Sequence, residues 1–318
     1  METADRFALA QKRLRSVLSS HTVATARTLE QKISDAGPFD QRIDPHVLSE
    51  AREDLRQRGV VNRIARGQVP WYHLADALDA EVEARLIEQE AIHGQMLEKQ
   101  FVKRCGQTLE IAVFKALQGQ GTPFFGSYPD LDAHDDGSLY SKEEPPSSLS
   151  GRAIPRGKKL DFLLLHPESG PVGIEVKNTR VWLYPHSHEI REFIFKCCCL
   201  DAVPLMVARR IAYVTFSLLN PCGFIFHQTY NQLFPNADAT LAAAARHKKL
   251  LGYHDIRLGN DPDARMRNFF ENSLPKITND ARIRFDKMKD LLCDYGSNQI
   301  QYPAFAAKVR ERCGRGIA

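Results

Sequence analysis

The chain has 318 residues, of which 43% are hydrophobic and 26% are charged. These values are ordinary for folded globular proteins, so the composition argues against extended disorder, and the length favours two domains. The formal net charge of +4 is compatible with nucleic-acid binding but does not by itself indicate it, because many unrelated proteins share such a charge.

The charge is distributed unevenly along the chain. Residues 1–74 contain 12 Lys and Arg against 9 Asp and Glu, residues 75–100 contain 2 against 7, and the remainder contains 29 against 23. Two mildly basic blocks separated by an acidic stretch indicate separate modules, each able to approach a polyanion.

The apolar runs and the cysteines of the sequence indicate the cellular compartment. No apolar run approaches the roughly 18–20 residues that cross a bilayer, and the N-terminus lacks the basic-then-apolar order of a secretory signal. The seven cysteines show no CxxC spacing, and Cys197, Cys198 and Cys199 are adjacent. We therefore expect reduced thiols, a cytoplasmic protein and no membrane partner.

The first 75 residues predict three helices followed by a β-hairpin. Gly37-Pro38 is expected to end the second helix, and Asp44-Pro45 to open the third. Two β-rich runs flank a Gly-containing turn at Ala65-Arg66-Gly67, which is typical of a hairpin. The helices are predicted over residues 5–18, 26–35 and 45–58, and the strands over 60–64 and 68–74.

This layout, from Leu29 to Leu74, resembles the winged helix-turn-helix family. In such modules the third helix enters the major groove of DNA and the wing contacts the backbone or minor groove. The resemblance implies nucleic-acid contacts at polar positions of the third helix and of the wing, namely His46, Ser49, Arg52, Arg56, Arg63 and Arg66. A protein-docking module is the alternative, since Glu50, Glu53 and Asp54 on the same helix weaken attraction to phosphate.

A long helical pattern runs from Asp76 to about Leu117, and we expect interruptions at Gly94 and Gly106. Its acidic first part, residues 76–100, is interpreted as a connecting helix. Residues 119–159 are rich in Gly, Pro and Ser and predict a long irregular region, which is either functional or disordered.

Two apolar runs then surround a turn-forming segment. The strands 160–165 and 172–177 predict an antiparallel hairpin that brings Asp161, near the start of one arm, beside Glu175, near the end of the other. Because side chains alternate along a strand, Glu175 and Lys177 share a face. An ordinary hairpin with Glu and Lys on a solvent face is the simpler alternative.

Charged groups within apolar strands are costly to bury unless they pair or bind metal. Two neighbouring carboxylates repel each other, and a divalent cation relieves that repulsion. Such a cation activates water and polarises a phosphoryl oxygen, while Lys177 could stabilise the developing negative charge.

Asp161 followed by Glu175-Val176-Lys177 is similar to the D-(x)n-ExK signature of the PD-(D/E)XK nuclease superfamily, although Leu160 stands where that motif has proline. Members have a preceding helix with a Glu that joins the metal site, and residues 106–117 offer Glu110, with Glu98 as the weaker choice. The resemblance implies catalytic Asp161, Glu175 and Lys177. It also implies Mg²⁺, with Mn²⁺ able to substitute, bound by Asp161, Glu175, the Val176 carbonyl and Glu110.

The expected fold class is α/β, with a central mixed sheet flanked by helices, preceded by a winged-helix domain and followed by a helical C-terminal region. A helix is predicted over residues 188–200, and strands over 203–208, 211–218 and 223–227. The predicted domains are residues 1–75 (winged helix), 76–100 (connecting helix), 101–230 (nuclease core) and 231–318 (helical extension).

The resemblance also places phosphate-contacting groups after the ExK motif, where we expect Asn178 and Arg180; His186, His188, Arg191 and Lys196 are weaker candidates. The function expected is hydrolysis of DNA phosphodiester bonds by a metal-dependent endonuclease, in restriction, defence or repair. Double-stranded DNA is the expected partner, and a homodimer is possible because cutting both strands commonly needs two active sites. The contrasting hypothesis is a non-enzymatic DNA-binding regulator with a degenerate nuclease fold.

Overall fold

A computed structural model describes residues 3–34, 41–67, 69–155 and 157–314. The predicted helix stop at Gly37-Pro38 lies outside these residues. Within them, no helix combines the length and apolarity needed to cross a membrane. The chain forms two compact units, one of residues 1–102 with 238–256, and one of residues 103–237 with 257–318. The segment predicted as one C-terminal extension is therefore shared between the units.

The first unit contains the predicted helices and hairpin, together with one strand that was not predicted. Its elements are α1 (Thr3–His21), β1 (Val23–Thr25), α2 (Ala26–Ile33), α3 (Pro45–Gln57), β2 (Val61–Arg66), β3 (Val69–Leu74), α4 (Asp79–Leu97) and α8 (Ala239–Arg246). The strands form an antiparallel sheet in the order β1-β3-β2. β1 has only three residues, too few to show an alternating pattern in the sequence.

Local capping and apolar periodicity explain the helices of this unit. The Thr25 side chain accepts a hydrogen bond from the Thr28 amide at 3.1 Å and caps α2, while Pro45 occupies the first turn of α3. Leu48, Ala51 and Leu55 of α3 are fully buried against apolar residues of α1 and β2, as the helical spacing predicts.

The predicted interruptions at Gly94 and Gly106 are wrong. Gly94 lies within α4 and Gly106 within α5 (Lys99–Gln118), and the chain instead leaves helical geometry at Glu98, whose ψ is 132°. A glycine inside a helix costs only about 1 kcal/mol, which neighbouring packing offsets, so its presence alone does not end a helix.

The second unit is built on a five-stranded mixed sheet in the order β10-β9-β8-β7-β4. β7 pairs antiparallel with β8 and β4, whereas β8, β9 and β10 run parallel. The elements that form and flank the sheet are α5, β4 (Phe124–Phe125), β5 (Ser148–Leu149), β6 (Arg152–Ala153), β7 (Phe162–His166), β8 (Gly170–Lys177), α6 (His188–Leu200), β9 (Val203–Ala208), α7 (Tyr213–Leu219) and β10 (Ile225–Gln228).

Helical layers cover both faces of this sheet, as expected for the α/β class. Ile174 and Val176 pack toward α5, while Leu163 and Met206 belong to the core shared with α6 and α10 (Leu274–Gly296). The mixed sheet flanked by helices is confirmed, and α6 and β9 begin and end where predicted. Between α5 and β7 the chain forms three short strands, β4, β5 and β6, that were not predicted.

The predicted strand over residues 211–218 is wrong, because Tyr213–Leu219 form α7. Thr215, Leu218 and Leu219 are buried while Tyr213 and Phe216 are exposed, which is a helical spacing. Topology supplies the physical reason: β9 and β10 are parallel, and parallel neighbours require a crossover connection, usually helical. The strand was predicted because this short segment is rich in β-branched and aromatic residues, which are common in strands.

The remaining elements are mainly helical, as predicted. They are β11 (Gln232–Phe234), β12 (Ile256–Leu258), α9 (Ala264–Asn268), a π-helical turn (Phe269–Ser273), α10 and α11 (Tyr302–Arg312). β11 and β12 form a separate two-stranded sheet. Phe285 and Leu292 of α10 are buried in the core beside α6.

Candidate active site at the edge of the mixed sheet

The start of β7 and the end of β8 meet at one edge of the sheet. Phe162 pairs with Ile174, and the Asp161 amide donates to the Ile174 carbonyl oxygen at 3.1 Å. The Asp161 Oδ2 atom accepts a hydrogen bond from the Val176 amide at 2.7 Å. The hairpin thus fixes Asp161 beside the segment that carries Glu175 and Lys177.

Gly126 allows the chain to pass close to Asp161. Its φ of +105° is accessible mainly to glycine. A Cβ atom there would lie 2.9 Å from the Asp161 carbonyl oxygen and 2.7 Å from Cδ1 of Phe162. A larger residue at this position would therefore displace the backbone that presents Asp161.

Glu175 is the most buried carboxylate of the site, with 5% of the residue exposed. Its Oε1 accepts from Lys177 Nζ at 2.8 Å, and its Oε2 from Lys196 Nζ on α6 at 3.1 Å. Burial and the charge of Asp161 raise the pKa of Glu175, and the two ammonium groups oppose that shift. The solvent-facing hairpin considered as an alternative does not fit this burial.

Glu110 reaches the same site from α5. Its Oε2 accepts from Lys142 Nζ at 2.6 Å and from the Tyr128 hydroxyl at 2.7 Å. Lys142 Nζ also lies 3.4 Å from Asp161 Oδ1, so one ammonium bridges the two carboxylates. Burial and the charge of Asp161 raise the pKa of Glu110, whereas Lys142 lowers it.

The lysines stay charged in this setting. Burial alone would lower the pKa of Lys177, but the charges of Glu175 and Asp161 outweigh it and raise that pKa. The pKa of Lys142 is raised in the same way by Asp161 and Glu110, against burial. Lys142 and Lys177 therefore remain protonated beside Glu110, Asp161 and Glu175.

The structure brings Glu110, Asp161, Glu175 and Lys177 together, and it adds residues that sequence reasoning did not place here. Tyr128 and Lys142 come from the irregular region 119–159, where a backbone bridge between Ser127 and Glu143 holds the loop. Lys196 was a weak candidate for phosphate contact, and the structure shows it bonded to Glu175. The only signal for Lys142 was the length of the irregular region, which does not single out a residue.

The donor chemistry fits a hard divalent cation, because carboxylate oxygens are the preferred ligands of Mg²⁺. The present arrangement does not converge on one point: among residues 3–34, 41–67, 69–155 and 157–314, no three His, Cys, Asp or Glu side chains form a metal-holding group. Lys142 and Lys196 instead occupy the carboxylate oxygens. A cation at this edge would therefore have to compete with these ammonium groups.

The basic residues of the first unit that were predicted to contact nucleic acid differ in whether their side chains already have partners. The Arg52 guanidinium lies 4.6 Å from the Tyr72 ring centre. Arg56 is paired with Glu53 at 2.6 Å, and Arg66 donates to Glu83 at 2.6 Å. Arg63 is exposed on β2. Glu53, one of the three acids expected to weaken attraction to phosphate, therefore pairs directly with the predicted contact Arg56.

Asn178 and Arg180, also predicted to contact nucleic acid, are buried. The Asn178 amide donates to the carbonyl oxygens of Cys105 and Leu233 at 2.6 Å each. Arg180 donates to Gln232 Oε1 at 3.0 Å. Both side chains link β8's C-terminal extension to neighbouring segments of the second unit, away from solvent.

Comparison with known proteins adds no further assignment: no family model, curated protein or solved structure matches this chain.

Proposed function

We propose that the chain is a metal-dependent nuclease that hydrolyses DNA phosphodiester bonds at the edge formed by β7 and β8. One observation carries the proposal: Asp161, Glu175 and Lys177 from one hairpin meet Glu110 from α5 in a largely buried cluster. Burying this many charges is costly, and function is the usual reason for such a concentration.

The residue types match the chemistry of phosphodiester hydrolysis. Asp161, Glu175, Glu110 and the Val176 carbonyl would hold Mg²⁺, for which Mn²⁺ could substitute. The ion, when bound, supplies Lewis-acid polarisation of a phosphoryl oxygen and activation of water. Lys177 keeps its proton beside Glu175 and can orient the attacking water or stabilise charge that develops on the phosphate.

The resemblance to the PD-(D/E)XK superfamily supports this proposal through the spacing of Asp161 and Glu175-Val176-Lys177 and through the order of α5, β7, β8, α6 and β9. The element order of residues 3–74, in which α3 precedes the β2–β3 hairpin, supports a winged helix-turn-helix module that positions DNA. Arg52, Arg63 and Arg66 are the residues we propose to contact phosphate there. A double-stranded DNA substrate and a homodimer remain predictions.

The test is a cleavage assay on plasmid and linear DNA with Mg²⁺ or Mn²⁺. We expect Lys177→Met and Asp161→Asn each to lower the cleavage rate at least about 100-fold, because each removes a charge that acts on the transition state. Lys276→Met, at an exposed position of α10, serves as the matched control and should cleave as the unmodified protein does.

Cleavage that survives both site substitutions would show that the bond is broken elsewhere. DNA binding without any cleavage would favour the other candidate, a non-enzymatic regulator with a degenerate nuclease fold. The ammonium groups on Glu110, Asp161 and Glu175 are the observation that favours that candidate, because they already satisfy the carboxylates.

A further inference from the structure

A cavity of about 750 Å³ lies beside the N-terminal end of α6. This volume is within the range of small-molecule sites in proteins. We call it the α6 pocket and define it by Lys158, His186, His188, Arg191, Glu192 and Tyr302, which line it. The residues given catalytic or metal-binding roles above are not among its lining residues.

The topology places the α6 pocket at the same edge of the sheet as the candidate active site. α6 connects the parallel strands β8 and β9, so its N-terminal end lies near the end of β8, where Lys177 is found. Side-chain contacts also connect the α6 pocket with the candidate active site. Lys196 lies 3.1 Å from Glu175 and 3.9 Å from Glu192, which lines the pocket.

The lining favours an anion with a flat apolar part. Lys158 and Arg191 bring positive charge, and Glu192 is shared among Lys158 at 3.3 Å, His188 at 3.0 Å and Lys196. Arg191 lies over the Tyr295 ring at 4.4 Å from its centre and donates to Asn298, which holds its guanidinium at the wall of the pocket. These cations would face a phosphate group.

Aromatic rings form another part of the wall. His186 stacks on Tyr184 with 5.7 Å between ring centres, and its ring lies 5.4 Å from that of Tyr302. His186 is exposed and Tyr302 is half-buried. Accessible aromatic faces beside positive charge are the features on which proteins stack unpaired bases. A base within a duplex is stacked on both faces and paired along one edge, so only an unpaired base can enter a pocket of this kind.

We propose that the α6 pocket binds one unpaired nucleotide of the DNA strand that is cut, with its base against His186 and Tyr302 and its phosphate toward Lys158 and Arg191. This inference rests on the proposed nuclease function and deepens it. The substrate class becomes DNA with an unpaired nucleotide next to the scissile bond, at a strand end or flipped out of a duplex.

The experiment measures binding without cleavage, in EDTA. The probes are a blunt hairpin duplex and the same duplex with a four-nucleotide single-stranded overhang that carries 2-aminopurine at the junction. We expect the overhang to raise affinity and the 2-aminopurine fluorescence to be quenched on binding. Tyr302→Leu should weaken overhang binding about tenfold and leave blunt-duplex binding unchanged.

The matched control is Tyr213→Leu. Tyr213 is the first residue of α7, as Tyr302 is of α11, and it is 81% exposed. This variant should bind both probes as the unmodified protein does. His186→Ala, at an exposed position, provides a second pocket variant if Tyr302→Leu lowers the thermal unfolding temperature.

Equal affinity for the two probes, unquenched 2-aminopurine, or pocket variants that bind the overhang normally would each overturn the pocket assignment. Failure to bind either probe would do the same. The first three outcomes do not bear on bond cleavage, which is measured separately with Mg²⁺ and the Lys177→Met variant, so the two proposals can fail independently. Failure to bind both probes would contradict the proposed DNA substrate as well.

Discussion

Lys142 is the residue whose position most changes the interpretation of the candidate site. Its ammonium group lies 2.6 Å from Glu110 and 3.4 Å from Asp161, and only 11% of its side chain is exposed. A positive charge between two carboxylates does electrostatically what a divalent cation would do. We therefore expect Lys142 to stabilise the metal-free protein and to compete with a metal ion for the same oxygens.

Lys142→Met should separate these two effects. Without metal, we expect the free energy of unfolding to fall by about 3 kcal/mol, because two buried carboxylates lose their counter-charge. Mn²⁺ affinity, measured by isothermal titration calorimetry, should rise because the competing ammonium is gone.

The control for this change is Lys115→Met, on the same helix as Glu110. Lys115 pairs with Asp261, which is 76% exposed, and donates to Asn260, so its loss should cost about 1–2 kcal/mol, less than the loss of Lys142, and leave Mn²⁺ affinity unchanged. Unchanged or weaker Mn²⁺ binding by Lys142→Met would show that Lys142 does not compete with metal.

At the scale of elements, α6 and α10 are joined by a pair of cysteines as well as by apolar packing. Cys198 on α6 donates a thiol hydrogen bond to Cys293 on α10. That bond, with help from Lys289, lowers the pKa of Cys293 to about 7, while the pKa of Cys198 is raised by the same bond and by burial. A large fraction of Cys293, about half at pH 7, is thus thiolate, although the sequence marked none of the seven cysteines as distinctive.

The alkylation of Cys293 should depend on pH accordingly. Thiolates react with iodoacetamide and thiols do not, so the rate should rise as pH increases through about 7, below the value of about 8.5 for an ordinary cysteine. Mass spectrometry of the peptide that contains Cys293 measures the rate at each pH. Cys198→Ala removes the donor and should move the midpoint upward; a midpoint that stays near 7 in this variant would exclude the hydrogen bond as the cause.

At the scale of the whole molecule, the chain divides into two units, and each contains one of the two tryptophans. Trp71 is buried in the first unit, and Trp182 lies in the second, a few residues after Lys177. The carboxylates proposed to bind metal all belong to the second unit. A metal ion should therefore stabilise one unit selectively.

Denaturant unfolding of the single-tryptophan variants Trp71→Phe and Trp182→Phe tests this expectation. At a Mg²⁺ concentration of about 100 times Kd, the second unit should gain about 2.7 kcal/mol. The denaturant midpoint measured by the fluorescence of Trp182 should rise, and the midpoint measured by the fluorescence of Trp71 should not. Equal shifts would mean that the units unfold as one cooperative body, and the absence of any shift would exclude metal binding.

Much of the fold follows from local sequence patterns. Apolar spacing and capping residues predict α2, α3 and α6, because these features act within a few residues of one another. Strand alternation and a turn predict the β7–β8 hairpin, which alone brings Asp161 near Glu175. The candidate catalytic residues could be predicted because the hairpin that holds them is contiguous in sequence.

Tertiary structure decided the features that depend on distant partners. Tyr213–Leu219, in a segment mostly predicted as a strand, form a helix because β9 and β10 are parallel, a relation that no local pattern records. Lys142 reaches Glu110 and Asp161 across 32 and 19 positions of the chain, and Lys196 reaches Glu175 across 21. The sequence by itself therefore determined the hairpin and its charged residues, whereas only the packed structure decided which ammonium groups neutralise them, because Coulomb interactions depend on distance in space and not along the chain.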